Sequence, residues 1–456
     1  MQLTNSLIVL FLEVFIISCN LKDNGETELR QSGTKETKLL IHESWDHPLT
    51  KMERLKSLST EPKPFIFNND FYLLENWRSS YLPGPRKGVK KKEIWIAHLP
   101  NGPEDYEGRT FISTPLKENS LGTAIVWEGR VYVFGVNETK NRKYVEMTRS
   151  ENLKTWSEPV KVFDSPAGKI FNVSLTRDDK GFVFLWETDC LGKPFTMCFG
   201  RISSLTDNWN DHIIKDANYG DHKYTGGPEV VYANGWYYLL YLESLEVGWE
   251  TRITRSRDLI QWQDAPEDRP FLTHNVNNKN LPYSEPEVHE INASDPGLTV
   301  YNGKVIVYFT GGIQQEGADL QWAIFNGTIH ELMESYFLES FKKKPLRYGM
   351  VTGIKPEKIA YYKELHANTW EGVLKKIKEA NIENYSIYIQ KIEDKYYLFS
   401  YYEYVGNNYE EDMKKIAADT TTQRWWKETD PCQIPLPEAS SKNEIWTTME
   451  EVFHTD

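Results

Sequence analysis

The chain has 456 residues, with 53 Lys and Arg against 66 Asp and Glu, for a formal charge of −13. That length supplies two or three domains, and the acidic balance excludes an overall basic footprint for nucleic acid. Its 28 Gly and 22 Pro are an ordinary share, which excludes a low-complexity chain, and its four cysteines are too few for a disulfide scaffold. Aromatics stand out at 15 Trp, 26 Tyr and 20 Phe, rings that suit sheet packing and stacking against sugars.

The first predicted element is a short apolar run over 7–17, too short to span a bilayer and suited to a signal h-region. It ends in Ile16-Ile17-Ser18-Cys19, which resembles the bacterial lipoprotein box. That resemblance implies a signal peptide over 1–19 and a lipid on Cys19, hence an outer-membrane lipoprotein facing the periplasm or the cell surface. An ordinary secretory signal cleaved nearby is the alternative. Residues 20–60 are polar and are expected to form a flexible tether. The basic run 87–92 reads as a solvated loop.

From 61 to 346 one pattern recurs: an alternating apolar run, a turn, and an aromatic strand. It occurs over 65–73, 124–133, 175–184, 230–239 and 298–307, mostly about Asn-Gly or Glu-Gly turns that supply positive φ. The turn positions 70, 129, 181, 235 and 303 lie 52 to 68 residues apart, the length of a four-stranded blade with its loops. Such repeats bury their faces only against neighbours, so the expected fold is all-β, a five-bladed propeller. Two repeats share an outer motif, Ser150-x-x-Leu153-x-x-Trp156 and Ser256-x-x-Leu259-x-x-Trp262, whose Trp should pack between blades. It resembles the Ser-x-Asp-Leu-x-x-Trp of five-bladed glycosidases, the superfamily that includes arabinofuranosidases and fructosidases.

Beyond 347 the pattern changes to strand, helix, two strands and helix, a βαββαβ-like order expected to give an α+β sandwich. A strand is expected over 347–354, one helix over 355–380, strands over 385–392 and 396–404, and a helix near 410–418. The segment also holds Tyr362-x-x-x-His366, Trp370, Asn384-Tyr385-x-Ile387-Tyr388, Gln423-Arg424-Trp425-Trp426 and the ending Glu450-Glu451-Val452-Phe453-His454. In order and spacing these resemble the L-rhamnose mutarotases. The resemblance implies a ferredoxin-like α+β domain over 347–456, usually homodimeric, that interconverts the α and β anomers of L-rhamnose without a cofactor. It implies His366 as proton donor and Tyr362, Tyr385, Trp425 and Trp426 as sugar-binding residues.

The chemistry of these residues agrees. Mutarotation moves one proton off the anomeric hydroxyl and one onto the ring oxygen, work for a group that titrates near neutrality. Tyr362 and His366 are four apart, hence on one helical face, where the phenol can hold or relay a second proton. The tryptophan pair offers an apolar wall for a deoxy sugar. No metal is called for.

An anomer converter needs free rhamnose, so the preceding propeller is expected to hydrolyse, or alternatively only to bind, a rhamnose-containing oligosaccharide of ulvan or pectin type. The glycosidase resemblance implies carboxylates at the starts of the innermost strands, acting as a pair across the glycosidic bond. Asp70, Glu229 and Asp295 are the candidates, with Glu285 and Glu287 before the fifth repeat and His222 and His289 as alternative acid–base groups. Where the superfamily carries Glu-x-Pro, this chain reads Gly226-Gly227-Pro228.

Overall fold

The computed structural model describes residues 45–55, 60–78, 92–189, 195–221, 223–246, 248–274, 291–313 and 317–455. The apolar run over 7–17, Cys19, His222, Glu285, Glu287 and His289 lie outside the described residues. So do the basic run except Lys92, and the tether except 45–55 and 60.

The first part of the chain is built from four-stranded antiparallel meanders, the fourth and last of which are joined into one eight-stranded sheet by the parallel pairing of Trp249 with Asn292 and Glu250 with Ala293. The first comprises Thr60–Phe67, Asp70–Arg78, Lys92–Leu99 and Thr110–Lys117; the second Asn119–Trp127, Arg130–Asn137, Tyr144–Ser150 and Val160–Asp164. The third comprises Ile170–Asp178, Gly181–Thr188, Thr196–Ile202 and Ile213–Tyr219; the fourth Thr225–Ala233, Trp236–Ser244, Trp249–Ser256 and Trp262–Asp264. The last takes Asn292–Tyr301, Lys304–Ile313 and Gly317–Phe325, and is completed by Thr50–Lys51, which pairs with Ile324 and Ala323. Each meander's first strand packs against the first strands of its two neighbours, and the last returns to the first.

Residues 45–55 are therefore not tether. Leu49 is fully buried and Thr50–Lys51 is the outer strand of the final sheet. A two-residue strand has no alternation to read, so the polar composition around it concealed it.

Two local devices recur in every first hairpin. Its turn has two residues, and in four of the five both have positive φ: Asn68 and Asn69, Glu128 and Gly129, Asn234 and Gly235, Asn302 and Gly303. Those signs match the twist of the flanking strands. Near its start each first strand also bulges, between 60 and 63, 120 and 123, 170 and 173, 226 and 229, and 294 and 297. A bulge leaves one residue unpaired and re-aims its side chain. Turns thus lie at one end of the first strands and bulges at the other.

The shared Ser-x-x-Leu-x-x-Trp motif joins neighbouring sheets. Ser150 Oγ accepts from Leu153 N at 2.8 Å, and Ser256 Oγ from Leu259 N at 2.9 Å, which holds each buried leucine at positive φ. Trp156 Nε1 then donates to Ser113 Oγ of the first sheet, and Trp262 Nε1 to the Asn218 carbonyl of the third. Losing either hydroxyl would leave a buried N–H unpaired, at a cost of about 1–3 kcal/mol.

The C-terminal segment forms an antiparallel sheet in the order Ile382–Ile392, Lys395–Tyr404, Leu346–Ile354, with Gln433–Ile434 and Thr447–Met449 on the outer edge of the last. The single helix expected over 355–380 is in fact two, Ile359–Ala367 and Glu371–Glu379, after a short turn at Pro356–Lys358. Asn368 Nδ2 donates back to Glu364 O and Thr369 Oγ1 to His366 O, taking up the last carbonyls and ending the first helix. A further helix, Thr420–Thr429, was not expected, because three threonines are weak helix formers. It starts because Asp419 Oδ1 accepts from Thr422 N at 2.8 Å, an N-cap.

Candidate functional site

Three of the C-terminal residues singled out in the sequence meet where helices 359–367 and 420–429 face each other. The Tyr362 and His366 ring centroids lie 4.2 Å apart, and Trp425 meets the imidazole edge-on with centroids 5.3 Å apart. Trp370, freed by the break between helices, packs edge-on against Trp425 at 5.3 Å. His366 Nδ1 lies 2.9 Å from the Tyr362 carbonyl. A carbonyl only accepts, so Nδ1 carries the hydrogen and Nε2 is the basic atom of the neutral ring. Burial lowers the His366 pKa below its ordinary 6.5, against the raising effect of that hydrogen bond. Burial likewise raises the Tyr362 phenol, which stays protonated across the neutral range.

Tyr385 is 44% exposed as a residue, and burial pushes its phenol up to about 12. Its ring lies edge-on to that of Tyr402, with centroids 5.6 Å apart. Trp426 departs from the expected double wall. Successive residues on a helix point about 100° apart, so Trp425 turns inward and is buried while Trp426 remains 37% exposed.

A second constellation occupies the bulge end of the sheet ring. Glu187, at the end of the third meander's second strand, is buried and accepts from Asn172 Nδ2 at 2.8 Å. Burial first, then the charges of Asp295 and Glu61, push its pKa up to about 8 against the pull of the Asn172 amide. Glu61 and Asp295 are the bulged residues of the first and last meanders, both at φ 54°. The two glycines noted in the sequence run between Glu187 and Asp295. A Cβ on Gly226 would come within 3.6 Å of Glu187 Oε1, and one on Gly227, at φ 51°, would collide with Asp295 Oδ1. Phe171, Phe195 and Tyr224 form an edge-to-face row alongside, and Tyr224, 44% exposed, is pushed up to about 12 by burial, Glu187 and Asp295.

The family described as L-rhamnose mutarotase matches residues 347–455. An L-rhamnose mutarotase of Oceanobacillus iheyensis is 30% identical over 110 residues, 24% of this chain and 98% of that protein. Those of Lactiplantibacillus plantarum and Bacillus subtilis are each 28% identical, over 99% and 98% of their lengths. The chain belongs to the L-rhamnose mutarotase family. Solved structures resemble its first half. The Bacteroides ovatus Xyloglucan PUL GH43B matches at 17% identity and TM-score 0.44, over 61% of this chain and 53% of that one. The Coprinopsis cinerea GH62 alpha-L-arabinofuranosidase catalytic domain matches at 11% and 0.47, over 62% and 97%. The chain thus spans about half the length of the first of these.

The three expected carboxylates lie in different places. Asp295 sits in the bulge constellation. Glu229 lies at the inner end of the fourth meander's bulge, its Oε2 2.6 Å from Lys63 Nζ, which also reaches the Pro296 carbonyl; this part-buried ion pair links the first, fourth and last meanders. Asp70 follows the first turn and is exposed near His98, at the end opposite the bulges. Glu61 and Glu187 were missed. Glu61-Pro62 against Asp295-Pro296 was a readable signal, an acid before proline at matching places in two repeats. Glu187 carried none, because it comes from a second strand.

Proposed function

We propose that the C-terminal domain is ferredoxin-like and interconverts the α and β anomers of L-rhamnose, with His366 and Tyr362 handling the two protons. The observation that carries this is the His366 Nδ1 hydrogen bond to the Tyr362 carbonyl, which reserves Nε2 for the sugar. Nε2 removes the anomeric hydroxyl proton, the C1–O1 bond gains its second pair, and the C1–O5 bond breaks. O5 takes the Tyr362 proton as it leaves. The aldehyde turns about C1–C2, and reclosure runs the same transfers backwards, so His366 is then the donor. Tyr385 and Trp425 supply the walls that hold the ring.

The pH dependence tests the role of His366. Protonated Nε2 cannot accept, so exchange is lost in acid. Because burial lowers the pKa below 6.5, kcat/KM should be flat from pH 7 to 8 and fall only below 6.5. Saturation transfer between the two anomeric proton signals measures this. An acid limb centred above pH 7 would exclude His366 as the base.

For the first half, the cyclic order of sheets supports a five-bladed propeller, and the bulge-end carboxyls support hydrolysis of a rhamnose-containing glycan. A carboxyl that keeps its proton near neutrality beside an ionised partner is what a glycosidic acid requires. A purely binding propeller is the second reading, favoured by glycine at 226. A lipid on Cys19 rests on the N-terminal run alone; palmitate labelling should mark the chain and vanish in Cys19→Ser, and label persisting in that variant would exclude it.

A further inference from the structure

One side chain of the mutarotase site belongs to none of its sequence motifs. Gln433 opens the short strand Gln433–Ile434 and pairs with Ile354 on the sheet edge. The residue before it is pinned, since Lys355 N donates to the Cys432 carbonyl and the Cys432 thiol is buried against Glu428 O. Gln433 is only 6% exposed. Its Nε2 donates to the Tyr362 hydroxyl at 3.2 Å. Its Oε1 is buried and has no hydrogen-bond partner among the described residues.

Both halves of that amide bear on the reaction. A phenol oxygen that accepts from Gln433 must aim its own hydrogen elsewhere, and Tyr362 donates it to no other group among the described residues. The same N–H stabilises negative charge on the phenol oxygen and draws the Tyr362 pKa down, against the larger rise from burial. A buried carbonyl without a donor is costly to leave unpaired, and here it sits one hydrogen bond from the group that protonates the sugar. A sugar hydroxyl is the donor that would complete it.

We propose that Gln433 is a positioning and sugar-binding residue of the mutarotase site. Its amide N–H holds Tyr362 with the phenolic hydrogen toward the ring oxygen, and its unpaired carbonyl receives a hydroxyl hydrogen of the same sugar. The inference rests on reading Tyr362 and His366 as the proton-handling pair.

The test uses the full chain and the exchange of L-rhamnose anomeric signals by NMR. Gln433→Met keeps length and removes both hydrogen bonds. It should lower kcat/KM by roughly 10- to 100-fold, through a raised KM and a lowered kcat together, at unchanged or higher Tm. Gln433→Glu restores an acceptor without the donor, so KM should return toward the wild-type value while kcat stays low. Among monodeoxy L-rhamnoses, one should be a poor substrate for the wild type yet no worse than rhamnose for Gln433→Met. A purely structural glutamine would lower Tm and leave kcat and KM of the folded fraction within twofold, and that result would overturn the proposal. So would a Gln433→Met enzyme that discriminates among the deoxy sugars as the wild type does. Should Gln433→Met not fold, Gln433→Glu decides: low kcat with near-normal KM supports the proposal, and unchanged kcat rejects it. If His366→Ala left exchange intact, the underlying reading would fail instead.

Discussion

His366→Ala should lower anomer exchange of L-rhamnose by about 10²–10⁴-fold, the range that one positioned acid–base group contributes. The loss should appear in kcat more than in KM, because the imidazole acts on a proton whereas the walls about it hold the ring. Stability should change little. His366 is only part-buried, near the end of its helix, and the one described hydrogen bond of its side chain returns to the carbonyl of its own turn. Saturation transfer between the anomeric signals, beside a thermal melt, separates the two effects. Undiminished exchange in a folded variant would remove His366 from the mechanism. A parallel fall in Tm and activity would make it a packing residue against Trp425.

The pairing of Tyr362 with His366 was legible in the sequence because a spacing of four on a helix is a spatial statement. The partnership of His366 with Trp425 was not, since it depends on the helix 420–429 that three threonines disguised and Asp419 caps. Trp370 was a motif residue without a place until Asn368 and Thr369 ended the preceding helix. In the first half, the turns were legible because only a few residue types tolerate two successive positive φ angles. The bulges were not, because Glu61, Leu121 and Asp295 carry side chains that give no sign of the left-handed backbone they adopt. The missing glutamate at 226 was visible as an absence. What occupies that space comes from a strand about 40 residues earlier in the chain, a distance no local pattern spans.

The proposed hydrolysis depends most on Glu187, and Glu187→Gln should change two measurements. The first is stability against pH. A carboxyl at about 8 in the folded chain and near 4.5 when unfolded binds its proton more tightly in the native state. Its contribution is therefore full below pH 4.5 and is lost as pH rises through 8, at about 1.4 kcal/mol per unit. The amide introduced by Glu187→Gln has no proton to lose, so the variant's Tm should fall less between pH 5 and pH 8 than that of the wild type; an equal fall would show that Glu187 is ionised throughout. The second is hydrolysis. If Glu187 protonates the departing oxygen while Asp295 or Glu61 acts from the other side, Glu187→Gln should lose about 10²–10⁴-fold on rhamnose-containing oligosaccharides. Retained hydrolysis would move the acid elsewhere, and binding without hydrolysis in the wild type would make the ring a recognition module. The stereochemistry is best read in the full chain carrying His366→Ala. An active mutarotase domain would scramble each released anomer, whereas the silenced one leaves the first anomeric signal to report whether the glycosidic bond was cleaved with retention or inversion.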